Sequence, residues 1–184
     1  MVAAWASLSF CAHAQNSNIN HPYLLEKSSF FKTSFNWGEL SVAGTMAVKF
    51  VDQGNFRVSI ASGMGGTLLD LEWIDGNMEI HFIPEVMNKK MLLKQLEKDL
   101  SLTFLAILHN AHFKDDYLFK NNSKKFEVDL DEKYRPSQVW QLGFFNGKKK
   151  SLSFFYKNEK IETVSMSHKR RNVHLQLTNL SPST

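Results

Sequence analysis

The chain has 184 residues, 43% apolar and 22% charged, with a formal net charge of +4. That is an ordinary globular composition, which excludes disorder as the main reading, and the length suits one domain with a real core. The charge is too small to argue for nucleic acid, and no apolar run approaches the about 18 residues of a membrane-spanning helix.

Two counts depart from the average, 15 Phe and 7 Met. Phe brings large apolar area, and Met adapts to irregular spaces. Cys11 is the single cysteine, so an intramolecular disulfide and the cysteine-rich zinc sites are excluded.

From Met1 to Ala14 there is no Lys, Arg, Asp or Glu, and the stretch ends in Ala12-His13-Ala14. Small residues in that pattern suit signal peptidase, so residues 1–14 are expected to be a cleaved export signal leading to the periplasm. Leu8-Ser9-Phe10-Cys11 is a poor acylation site because Phe10 is bulky, so a lipid anchor at Cys11, and with it attachment to the outer membrane, is the less favoured reading. Residues 15–29 are expected to be a polar linker with a short helix from His21 to Ser29. A single domain over 30–180 and a loose tail over 181–184 follow.

From Phe30 the apolar period becomes two. Leu40, Val42, Gly44, Met46, Val48 and Phe50 alternate with small or polar residues, as do Phe56, Val58 and Ile60. Ser62 to Gly66 breaks the run. Leu69, Leu71 and Trp73 share a face, Asp75-Gly76 marks a tight hairpin, and Met78, Ile80 and Phe82 return from it. Pro84 ends this first meander. Met87 to Leu108 then reads as one long helix, with Leu93, Leu96, Leu100, Phe104 and Ile107 on one face. Short strands are expected at Tyr117–Phe119 and Phe126–Leu130. Val139–Phe145 and Ser151–Tyr156 flank the hairpin dipeptide Asn146-Gly147, and Ile161–Ser167 pairs with Asn172–Thr178. About nine to eleven strands predict a mainly β fold with some α, a large curved antiparallel sheet that closes into a barrel or folds around the helix.

Few motifs carry chemistry. Gly63-Met64-Gly65-Gly66 lacks a following helix and reads as a strand connection rather than a phosphate loop. His109 and His112 share a helical face, but no third ligand stands out, and the bland reading is favourable interaction with a helix C-terminus. Asp129, Asp131 and Glu132 form no calcium loop, and no Gly-x-Ser-x-Gly occurs. The expectation is therefore a protein without catalytic residues, metal or cofactor. Lys148, Lys149 and Lys150, and Lys169, Arg170 and Arg171, read as basic loops. Solvated turns are the bland account; the functional one is attraction to an anionic membrane, with about 1 kcal/mol per cation near the surface.

The order of these elements resembles a known family. Gly44-Thr-Met-Ala-Val-Lys-Phe50, Phe56-Arg-Val-Ser-Ile60, the Met64-Gly65 turn, Leu68-Leu-Asp-Leu-Glu-Trp73, Asp75-Gly76, a helix and closing hairpins are similar to the lipoprotein localisation factors of Gram-negative bacteria, the LolA/LolB-like superfamily. The likeness runs from about Phe30 to Leu180 and lies in strand order and a glycine turn. It implies an unclosed, strongly curved antiparallel β-barrel capped by one long helix and short helical segments. It also implies a concave apolar face that holds acyl chains of lipoproteins or lipids, in a non-enzymatic, monomeric carrier. A convincing acylation site is missing, which puts a lipid-anchored receptor in doubt. By alternation the expected lining is Met46, Val48, Phe50, Phe56, Val58, Ile60, Leu69, Leu71, Trp73, Ile80 and Phe82 from the strands. Leu96, Leu100 and Phe104 face them from the helix. A one-residue register error would invert that face. The competing reading is a β-rich periplasmic protein-interaction module with a packed core.

Overall fold

A computed structural model of the chain describes residues 28–38, 40–52, 55–75, 77–104, 118–121, 124–143, 145–168 and 172–180. The expected export signal, linker and tail, over 1–27 and 181–184, lie outside these residues, apart from Ser28 and Ser29 at the start of the first strand. So do His109, His112, Lys169, Arg170 and Arg171.

Among the described residues there are eleven strands: β1 (Ser28–Trp37), β2 (Leu40–Asp52), β3 (Asn55–Ala61), β4 (Thr67–Ile74), β5 (Asn77–Phe82), β6 (Leu118–Asn121), β7 (Lys124–Leu130), β8 (Pro136–Leu142), β9 (Lys148–Lys157), β10 (Lys160–His168) and β11 (Val173–Asn179). A 3-10 turn at Glu85–Met87 and one α-helix, α1 (Lys90–Thr103), interrupt them. All strands join one antiparallel sheet in the order β5-β4-β3-β2-β1-β11-β10-β9-β8-β7-β6. The sheet is not closed: β5 and β6 form its two edges. The first and last strands meet at its centre, where Phe35 pairs with Leu175 and Thr33 with Leu177.

Period-two alternation builds one buried face. Phe31 and Phe35, Phe56 and Val58, Leu71 and Trp73, Leu152 and Phe154, and Leu175 and Leu177 all point into a single core. Turns are placed by residues that tolerate positive φ, among them Asp75 (φ 51°) and Asn146 (φ 57°). Gly44 is required for a different reason. A Cβ there would strike the backbone carbonyl of Ala61 on β3.

Three expectations need correction. Ser28 and Ser29 belong to β1 rather than to a helix. The helix begins at Lys90, not Met87, because the chain makes a 3-10 turn first and Lys89 is extended. Lys148 to Lys150 do not form a loop; they open β9.

Candidate functional site

The site is built where α1 lies on the buried face of the sheet. Every third or fourth residue of the helix faces down, and Leu96, Leu100, Leu102 and Phe104 at its end are buried. The helix is held by its neighbours rather than by its own ends. Lys89 at the N-cap makes no side-chain cap, no acidic residue occupies the first turn, and no basic residue occupies the last. Lys89 and Lys90 even place positive charge at the positive end of the helix dipole.

Two sets of contacts fix α1. Toward β3 and β4, Phe56 stacks on Trp73 with centroids 4.6 Å apart, and Phe104 lies 5.4 Å from Phe56. The indole Nε1 of Trp73 donates to Ser101 Oγ at 3.0 Å. Toward β9 and β10, Asp99 is 1% exposed and pairs with the ammonium of Lys150, itself 6% exposed. Gln95 Nε2 donates to both carboxylate oxygens of Asp99, at 2.8 and 2.9 Å. Thr103 Oγ1 donates to the Asp99 carbonyl at 2.8 Å and approaches Met166 Sδ at 3.7 Å. Burial, then the like charges of Lys98 and Lys150, hold Lys124 below the usual lysine range. Lys150 was expected to face a membrane. It is a buried partner of α1 instead, because it is in phase with Leu152 and Phe154 on the core face of β9.

Between these two footings lies a narrow apolar cleft with internal room for about one water molecule. Phe35 of β1, Val42 and Met46 of β2, and Leu175 of β11 line it from the sheet centre. Ile60, Leu68 and Leu69 close one side, and Met87, Leu96 and Leu100 cover it. No polar side chain is among them.

Of the residues expected on the lining, Met46, Ile60, Leu69, Leu96 and Leu100 border this cleft. Val48, Phe56, Val58, Leu71, Trp73 and Phe104 are buried in the core beside it, and Phe50 is partly buried against that core. Ile80 and Phe82 differ: they are 42% and 46% exposed. Both lie on edge strand β5, and a register shift between Asp70 and Leu71 sets Phe82 opposite Asp70. Phe35, Val42, Leu68, Met87 and Leu175 were missed. Phe35 and Leu175 enter because β1 and β11 are neighbours, a pairing of the chain's two ends.

Of the other basic residues expected to face a membrane, the two described, Lys148 and Lys149, are at the surface. Lys148 stands 3.0 Å from Glu127 and 3.2 Å above the Trp140 ring, and Lys149 is exposed. A second polar cluster on β3 and β4 is fully paired: the Arg57 guanidinium meets both oxygens of Asp70, at 2.9 and 2.7 Å, and Ser59 donates to the same carboxylate. Hydrogen bonding from Arg57 holds the Asp70 carboxyl below the usual carboxylate range. Among the described residues no group of three or more His, Cys, Asp or Glu side chains is arranged to hold a metal ion.

The described residues thus form an open antiparallel sheet with one helix covering an apolar cleft. Solved structures of similar architecture include an outer membrane lipoprotein-sorting protein domain from Vibrio parahaemolyticus, with 13% identity, 83% of this chain and 82% of that chain covered, and a TM-score of 0.46. A LolA superfamily protein from Nitrosomonas europaea shares 8% identity over the same coverage, also with a TM-score of 0.46. A DUF1329 family protein from Desulfovibrio piger shares 8% identity over 84% of each chain, with a TM-score of 0.40. At these values the likeness is a distant one of overall fold. No protein-family model matches the chain. No curated protein matches it in sequence.

Proposed function

We propose that this protein is a periplasmic, non-enzymatic binder and carrier of lipoprotein or lipid acyl chains, which it takes up beneath α1. The observation that carries the reading is the cleft itself: lined by apolar side chains and roofed by a helix with weak ends. Acyl chains gain about 25 cal/mol for each Å² removed from water, so an apolar channel needs no polar partner to hold them. A narrow resting cleft suits a carrier, because an empty wide one would expose its lining.

The reach of α1 supports a sheet curved around it. Trp73 on β4 and Lys150 on β9 both touch the helix, through Ser101 and Asp99. Those strands are six places apart in the sheet. Flat, that is roughly 29 Å at the usual strand spacing, far more than the width of one helix. Lifting α1 therefore opens a trough, and the cleft is its closed form. In this reading the exposed Lys149, with Lys148 beside it, meets an anionic membrane during transfer.

A second reading has its own observation. Beside the cleft Phe56, Trp73 and Phe104 pack ring against ring, as a packed interaction module requires. Native mass spectrometry separates the two. The protein, purified from a periplasmic extract and then offered dodecanoyl esters, is expected to carry acyl species near one per chain. A protein that stays empty in both cases contradicts the carrier reading and favours the packed module.

A further inference from the structure

Thr33 sits in the middle of β1, between Phe31 and Phe35 on the buried face. It is 2% exposed, and among the described residues its Oγ1 is the buried side-chain polar atom with no hydrogen-bond partner. A hydroxyl in that state has given up water without replacement, which folded proteins keep at few positions.

Register places it among residues that line the cleft, although Thr33 is not itself in the lining. Thr33 faces Gly44 on β2 and Leu177 on β11. Two places along from those partners on the same face are Val42, Met46 and Leu175, which line the cleft together with Phe35. Gly44 adds no side chain beside the hydroxyl, and nothing larger fits there against the Ala61 carbonyl. A polar group without a partner therefore stands one residue pair away from a cleft lined by apolar side chains.

We propose that the Thr33 hydroxyl is the hydrogen-bond donor for the carbonyl oxygen of an acyl ligand in this cleft, and so selects acyl esters over plain hydrocarbon. The inference rests on the acyl-binding reading above. Apolar walls hold a chain at any register along its length, because each methylene is like the next. One donor among them fixes where the carbonyl stops, the usual division of labour in apolar pockets. An ordered water is the competing partner for the hydroxyl.

The test compares wild type with Thr33→Val, using methyl dodecanoate and tridecane as probes that displace a fluorescent apolar dye. In wild type the ester is expected to bind more tightly than the alkane. In Thr33→Val the ester is expected to weaken by roughly three- to tenfold while the alkane is unchanged, the worth of one neutral hydrogen bond. Equal ester-to-alkane ratios in both proteins overturn the inference and leave the hydroxyl to water. If Thr33→Val does not fold, Thr33→Ser keeps the hydroxyl, and loss of the ester preference in folded Thr33→Ser overturns the inference equally. A wild type that binds neither probe sinks the acyl reading and this inference together; one that binds both without preference sinks this inference alone.

Discussion

The two sides of α1 are held by different physics. Toward β3 and β4 the helix rests on Phe56, Trp73 and Phe104, so contact there is area removed from water. Toward β9 and β10 it rests on the buried Asp99 and Lys150 pair, braced by Gln95. The difference decides what happens when the helix lifts. Separated charges regain hydration, so the polar footing offsets part of its own rupture. Apolar area exposed on the other side has no such return unless another apolar surface replaces the helix. An acyl chain is such a surface, and the cleft at Leu96 and Leu100 is where it would start.

The polar footing gives the largest expected effect. Lys150→Met leaves Asp99 buried without its cation and should lower unfolding stability by about 3–5 kcal/mol in urea titrations. Pairing it with Asp99→Leu should recover most of that loss, since neither charge is then stranded. Equal losses in the single and double variants would show that the pair holds α1 by shape rather than by charge.

Leu100→Ala sharpens the other half of the comparison. It removes a roof contact over space that is already open, so it should cost about 2–3 kcal/mol, the low end for a buried leucine. Dodecanoyl ester binding should persist or tighten, because the cleft has grown. If binding is lost while the protein stays folded, the ligand sits elsewhere.

Much of this arrangement was legible in the residues, and the failures have physical causes. Alternation located the strands from Leu40 to Phe82 and the last hairpin, because one face of each except β5 packs on a single core. The helical face was legible as well, although Met87 turns before α1 begins. Lys150 was misplaced because a run of three lysines reads as solvated. Its phase with Leu152 and Phe154 was the signal that set it inside, just as Asp99 falls within the stripe of Leu96 and Leu100. Thr33, between Phe31 and Phe35, carried the same signal. Ile80 and Phe82 failed differently: on an edge strand, correct phase does not guarantee a neighbour to bury against. The β1–β11 pairing joins residues far apart in sequence, and no local pattern encodes it.

Hydrogen exchange along α1, with the cleft empty and with methyl dodecanoate bound, tests the account most directly. In the empty protein the α1 amides should exchange through a local opening, faster than those of β1, β2 and β11 at the sheet centre. Ligand should slow them, because it binds where the roof closes, and should leave β7 and β8 unchanged. An α1 that exchanges only with the whole sheet and ignores the ester would contradict a carrier that works by lifting this helix.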